Sequence, residues 1–220
     1  GAGGGSLTVF AAASLKEAFT TIGADFAKTP GGAPVTFQFA GSDELATQIE
    51  EGAQPDVYAA ASPKYPDDLA AKGLVGKPAP FATNTLVLAV PKGSPITALA
   101  DVARAGTKLV IGAAGVPVGD YTRKVLTALD ASQGAGFSGK VLANAVSEEQ
   151  SVKGIVAKLG SGDADAGFVY VTDVKAAGGA LVAIPIPASA KPTATYPIAA
   201  LTKAPHGELA DRFVAYVLSA

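Results

Sequence analysis

Ser14 stands in the stretch VFAAASLKEAF (9–19), where an apolar run passes through three alanines and opens into an amphipathic pattern, with Glu17 three residues further on. Similar openings, with small or capping residues where a helical pattern begins, recur at Ser42 in FAGSDEL, around Val118 in GVPVGDY, and at Ser151 and Val152 in EEQSVKG. The first turn of a helix carries backbone N–H groups with no intrahelical acceptor and the positive end of the macrodipole, so it can seat an anion without any formal charge. Taken singly, each opening is also an ordinary helix cap, and Ser14 with Glu17 has the spacing of a capping box. Taken as a set, they are four candidate seats for a small anion.

Other chemistries find little support. The single histidine, His206 in KAPHGEL, lacks the serine or acid spacing of a catalytic triad and reads as a solvent-exposed residue at a helix start. Asp56, Asp120 and Asp173 could form a carboxylate site, but acids flanking strands and helices are more often surface or capping groups. Neither GAAGVPVG nor GSGDADAG matches a phosphate loop ending in GK[ST] or a dinucleotide GxGxxG. Cysteine is absent, which removes thiolate catalysis, disulfides and cysteine metal sites. The chain therefore reads as a binding protein rather than an enzyme, with no cofactor.

The elements that must position these seats follow from the pattern along the chain. Apolar or β-rich runs at 7–12, 34–40, 56–61, 85–91, 108–114, 166–171 and 180–186 read as strands, and most are apolar throughout, as parallel strands covered on both faces are. Helical patterns fall between them at 15–28, 43–52, 63–72, 119–130, 152–160 and 205–218, with Ser62 and Pro63 as a further cap-and-proline start. This alternation predicts an α/β protein. In open α/β sheets the helix starts gather where strands end, which is where the seats fall.

Composition bounds the class of protein and of partner. The 220 residues are 49% hydrophobic, enough to build a real core, and 17 basic against 19 acidic residues give a formal charge of −2. Such a balance supplies no basic field for nucleic acid or an anionic membrane. No apolar run approaches the roughly 20 residues of a membrane-spanning helix.

Two Pro- and Gly-rich extended runs, GLVGKPAPFATNTLVLAVPKGSP and KPTATYPIAALTK, read as paired crossings between two lobes. The expected division is 7–83 with 198–220 as lobe 1 and 84–197 as lobe 2. Residues 1–6, GAGGGS, read as a flexible spacer, either the one that follows the lipidated cysteine of an exported lipoprotein or a cloning remnant.

The ordered set VFAAASL, FAGS, LATQIEEGAQPDVYAAAS, GVPVGDY, SVKG and GFVYVTD resembles the periplasmic molybdate-binding proteins of bacterial ABC importers, the ModA family, and the likeness runs from Leu7 to Val217. AAASL and QIEEGAQPDV are its most specific parts. The resemblance implies a two-lobed periplasmic-binding-protein fold of type II-like topology, closing on molybdate or tungstate in the cleft. It also implies a monomer outside the cytoplasmic membrane that delivers its anion to a membrane permease. Carried over residue by residue, the oxyanion ligands are Ser14 and Ser42 through hydroxyl and backbone N–H, Val118 and Val152 through the backbone amide, and Tyr170 through its phenol. Molybdenum would be held only as molybdate, with no protein atom bound to the metal.

Such a donor set contains no lysine or arginine. A fully deprotonated tetrahedral dianion only accepts hydrogen bonds, whereas protonated phosphate must also donate one and would be left unsatisfied among donors alone. The same argument leaves sulfate as the alternative ligand, and a sensory domain of a transcriptional regulator as a less favoured reading, since 220 residues used by two lobes leave no room for a DNA-binding module. The sequence departs from the family at Asp43 and Glu44, two acids directly after Ser42, and it ends at AYVLSA, short of the family's usual last segment. Acids in a first helical turn favour the dipole, so both are expected to face solvent.

Overall fold

The computed structural model describes residues 5–190 and 193–219. The first four residues of the expected spacer lie outside that range. Nine strands and eight α-helices are described: β1 (Leu7–Ala12), α1 (Lys16–Phe26), β2 (Val35–Ala40), α2 (Ser42–Glu50), β3 (Val57–Ala59), α3 (Lys64–Ala71), β4 (Ala79–Pro91), β5 (Leu109–Gly112), α4 (Pro117–Gln133), α5 (Phe137–Ala143), β6 (Ala145–Glu149), α6 (Val152–Ser161), β7 (Ala166–Tyr170), α7 (Val171–Ala176), β8 (Leu181–Ile184), β9 (Thr193–Ala200) and α8 (Gly207–Ser219). Short 3-10 turns occupy Ala13–Leu15 and Leu99–Ala103. The fold is α/β, and the chain divides into two compact units, Gly1–Thr83 with Thr195–Ala220, and Asn84–Ala194.

Unit 1 is built on a sheet in the order β2-β1-β3-β9. β1 runs parallel to β2 and to β3, so all three end on the same side, while β9 returns antiparallel to β3. Strand alternation sends Val9 and its partner Phe37 to one face and Phe10 to the other. On the first face Phe37 and Phe19 of α1 meet Phe213 of α8 in a cluster of rings with centroids 6.0 to 6.4 Å apart. On the second face Phe10 and Tyr58 pack with Leu45 and Ile49 of α2 and Leu69 of α3. Each helix thus buries an apolar stripe on the sheet, which is what stabilises short helices in water.

Unit 2 centres on β5, which lies parallel to β6 on one side and to β7 on the other. β4 runs antiparallel to β7 and to β8. Leu86, Leu88, Leu109, Val125, Leu126, Leu129, Ile155 and Phe168 are fully buried there. Most strands have a parallel partner, as expected, while β4, β8 and β9 pair only antiparallel. Continuous apolar runs report burial on both faces, and they carry no information about direction. β6, α5 and α7 were not anticipated, and β4 begins six residues before the expected 85.

Candidate functional site

Ser14 lies two residues beyond the end of β1, inside the 3-10 turn Ala13–Leu15 rather than at a helix cap. This corrects the capping-box reading. Its hydroxyl lies 3.0 Å from the phenol oxygen of Tyr196, which comes from β9 in the same unit and is buried. Sequence reasoning missed Tyr196, whose only signal is its place in the extended run KPTATYPIAALTK.

Ser42 lies two residues beyond β2. Helix α2 starts one residue earlier than expected, with Gly41 as the cap and Ser42 as its first helical residue. Ser42 is held at both ends. The Ala61 backbone N–H donates to its hydroxyl oxygen at 3.0 Å, and the Tyr58 phenol donates to its carbonyl at 2.6 Å. Because that oxygen already accepts a bond, the remaining hydroxyl hydrogen is available to donate. Burial pushes the Tyr58 phenol well above its ordinary value, with the nearby Tyr65 and Asp43 adding to the rise and its bond to Ser42 opposing it. Tyr58 therefore remains a donor throughout the physiological range. Glu44 faces solvent and accepts from Gln48, as expected; Asp43 is half-buried and close enough to Tyr58 to perturb it, which corrects the expectation that both acids point outward.

In unit 2, α4 begins at Pro117 rather than at 119, so Val118 is its second residue. Proline at the first position lacks an N–H that the helix would not have used, and the first intrahelical bond comes from Asp120 to Val116. The loop before it turns through Gly115, whose φ of 90° suits glycine. The helix start presses against β5: a Cβ on Gly119 would lie 2.1 Å from the Ala113 carbonyl oxygen and 2.4 Å from that of Gly112. Arg123 secures the contact by donating to the carbonyls of Gly112 and Gly119 at 2.8 and 3.1 Å. Val118 is buried.

Helix α6 starts at Val152 with Ser151 extended before it and making no side-chain cap bond, which leaves the first-turn N–H groups without that competitor. Val152 is likewise buried. Tyr170 is the last residue of β7 and leads directly into α7, its side chain 1% exposed.

Each unit thus gathers its own seats. β1 and β2 are adjacent and parallel, so Ser14 and Ser42 lie at one end of one sheet. β6, β5 and β7 are adjacent and parallel, so Val152, Val118 and Tyr170 lie at one end of the other. Two pockets of unit 2, of about 340 and 330 Å³, open elsewhere, one beside the C-terminal end of α4 around Gln133 and the other near Thr107 and Asp165 before β5 and β7.

The acids weighed as a carboxylate site have separate structural tasks. Asp56, 1% exposed, accepts the backbone N–H groups of Thr8 and His206 at 2.8 and 2.7 Å. His206 is exposed immediately before α8, as expected, and its ring lies 3.3 Å from the same carboxylate. Asp120 accepts from Gly115 N–H at 2.8 Å, and Asp173, 2% exposed, from Tyr170 N–H at 3.1 Å. Asp120 and Asp173 act as capping groups at the starts of α4 and α7, as expected of acids flanking helices, while Asp56 is a buried acid rather than a surface one. Among the described residues no three His, Cys, Asp or Glu side chains are grouped to hold a metal ion, and no helix is long and apolar enough to cross a membrane.

Comparison with known proteins gives this geometry its relatives. Residues 7–220 match the family described as bacterial extracellular solute-binding protein. The molybdate-binding protein ModA of Mycobacterium bovis is 40% identical over 221 residues, covering 99% of this chain and 81% of the relative. That of Haemophilus influenzae is 33% identical, covering 87% and 76%. Among solved structures, the periplasmic molybdate-binding protein of Azotobacter vinelandii superposes with a TM-score of 0.82 at 25% identity, covering 96% of this chain and 92% of that one. The sulfate-binding protein SubI of Mycobacterium tuberculosis reaches 0.85 at 16% identity, covering 97% and 81%, a likeness of fold alone. These relatives are solute-binding proteins and not enzymes. On this evidence the chain belongs to the ModA family of bacterial extracellular solute-binding proteins.

Proposed function

We propose that this protein captures molybdate outside the cytoplasmic membrane, as a monomer, and delivers it to the permease of an ABC importer. Ser14 and Ser42 in unit 1 and Val118, Val152 and Tyr170 in unit 2 are its oxyanion donors. The observation that carries the reading is the placement of these residues at the carboxyl ends of adjacent parallel strands, where helix-start N–H groups and hydroxyls are the donors on offer. Four of the five stand in the turns or helix starts that follow these strands, and Tyr170 ends the strand beside them. The names of the relatives support molybdate as the ligand. Tungstate has the same charge and shape and is bound as well.

Ligand-dependent melting tests this. Stabilisation by a ligand grows with its free concentration over its dissociation constant, so shifts measured at equal concentration rank affinities. Molybdate and tungstate should raise Tm most, sulfate less, and phosphate least. A larger shift with sulfate would transfer the reading to a sulfate binder, and no shift with any of the four would overturn it.

A further inference from the structure

The buried carboxylate of Asp173 has no part in the donor set above, yet it touches two of its members' supports. One oxygen accepts the backbone N–H of Tyr170 at 3.1 Å. The other lies 3.3 Å from the ammonium of Lys153, the residue directly after Val152 in the first turn of α6. Asp173 itself belongs to the first turn of α7. A carboxylate this buried is costly unless paired and hydrogen-bonded, and here both of its oxygens are engaged. β6, which leads into α6, and β7, which leads into α7, flank β5 without pairing with each other. A link between α6 and α7 therefore spans two strands that the sheet holds only through their common neighbour.

We propose that Asp173 is a positioning residue for the oxyanion site of unit 2. It fixes the backbone from which the Tyr170 phenol is aimed, and through Lys153 it ties that backbone to the helix start that offers the Val152 amide. The same contact gives the Lys153 charge a protein partner beside a site whose donors are otherwise neutral. This rests on the function proposed above.

The experiment is a double-mutant cycle on molybdate affinity, read by isothermal titration of the full chain, with circular dichroism confirming the fold of each variant without ligand. Asp173→Asn retains an oxygen for the Tyr170 N–H and loses the charge, so affinity should fall by a few-fold. Asp173→Ala loses both contacts and should cost roughly tenfold or more. Tyr170→Phe removes the phenol that Asp173 is argued to aim. In that background Asp173→Ala should cost much less than it does alone, because interacting sites are non-additive. A role confined to stability would lower the unliganded Tm and leave the two effects on affinity additive. Additive effects, or undiminished affinity in a folded Asp173→Ala, overturn the positioning role. If Asp173→Ala does not fold, the same cycle on Asp173→Asn and Lys153→Met decides by the same criterion. Failure of the parent protein to bind molybdate would instead strike the functional reading.

Discussion

Gly119→Ala puts a single methyl group where the N-terminus of α4 meets β5. The added Cβ would stand 2.1 Å from the Ala113 carbonyl oxygen and 2.4 Å from that of Gly112, both rigid backbone atoms, where real Cβ atoms essentially never come closer than 3.0 Å. The helix start must therefore lift by roughly 1 Å, straining the pair of bonds by which Arg123 holds the Gly112 and Gly119 carbonyls together. Overpacking of this kind costs about 1 to 3 kcal/mol of stability. It also moves the Val118 amide, and a donor displaced by about 1 Å from a distance near 2.9 Å no longer makes a good hydrogen bond. Losing one bond to a charged acceptor is worth about 1.5 to 3 kcal/mol, or roughly ten- to a hundredfold in dissociation constant. Gly139→Ala in α5 is the control, because a Cβ there meets nothing within 4 Å. It should stabilise the protein by up to about 1 kcal/mol through helix propensity and leave affinity unchanged. Urea unfolding followed by circular dichroism and molybdate titration of both variants make the comparison. Unaltered stability in Gly119→Ala would refute the close-approach argument. Reduced stability with unaltered affinity would show that the Val118 amide does not bind the anion.

Asp56→Asn should destabilise unit 1 by about 1.5 to 3 kcal/mol in urea unfolding, because one buried carboxylate holds the N–H groups of both Thr8 and His206 while an amide offers only one oxygen to replace it. The Asp101 carboxyl is held below its ordinary value, first by the Thr97 and then by the Ala98 backbone N–H, with Arg104 contributing less. A depressed folded-state value contributes stability that is present above the unfolded carboxylate value and is lost as pH falls through the folded one. Asp101→Asn should thus be less stable than the parent at pH 7, with the gap closing as pH drops below about 4; a gap that stays constant with pH would exclude this linkage.

How much of this was legible in the sequence differs by element, and the difference has physical causes. The starts of α4 and α6 were legible within two residues, at 119 and 152, because the helical pattern that follows each of them is local. The turn after β1 was legible at Ser14, but the capping-box reading of it was not correct. The spacing from Ser14 to Glu17 is local, but the bond the Ser14 hydroxyl makes is to Tyr196, 182 residues away, and no local rule reports that. β6 escaped because AVSEE alternates half-buried and exposed residues at a sheet edge, with too few apolar positions to register as a strand. β4 and β9 were legible as extended runs, but their direction was not, since pairing direction is a property of the partner.

Charge shows the same division more sharply. For Asp43 and Glu44 the helix-dipole argument applies equally to both, because it depends only on their place in the first turn of α2. The structure separates them, sending Glu44 to solvent and Gln48 while Asp43 is half-buried and acts on the Tyr58 phenol. What distinguishes them is the 3.6-residue period, which puts neighbouring side chains about 100° apart around the helix, so only one acid is carried toward Tyr58 of β3. The same geometry acts on Asp173, which follows Tyr170 by three residues at the turn from β7 into α7 and so brings its carboxylate back to the Tyr170 N–H. Had α7 been anticipated, the spacing in YVTD would have marked Asp173 as a capping acid. Its burial and its contact with Lys153 depend on where α6 packs, and that is set by the sheet order rather than by any neighbour in sequence.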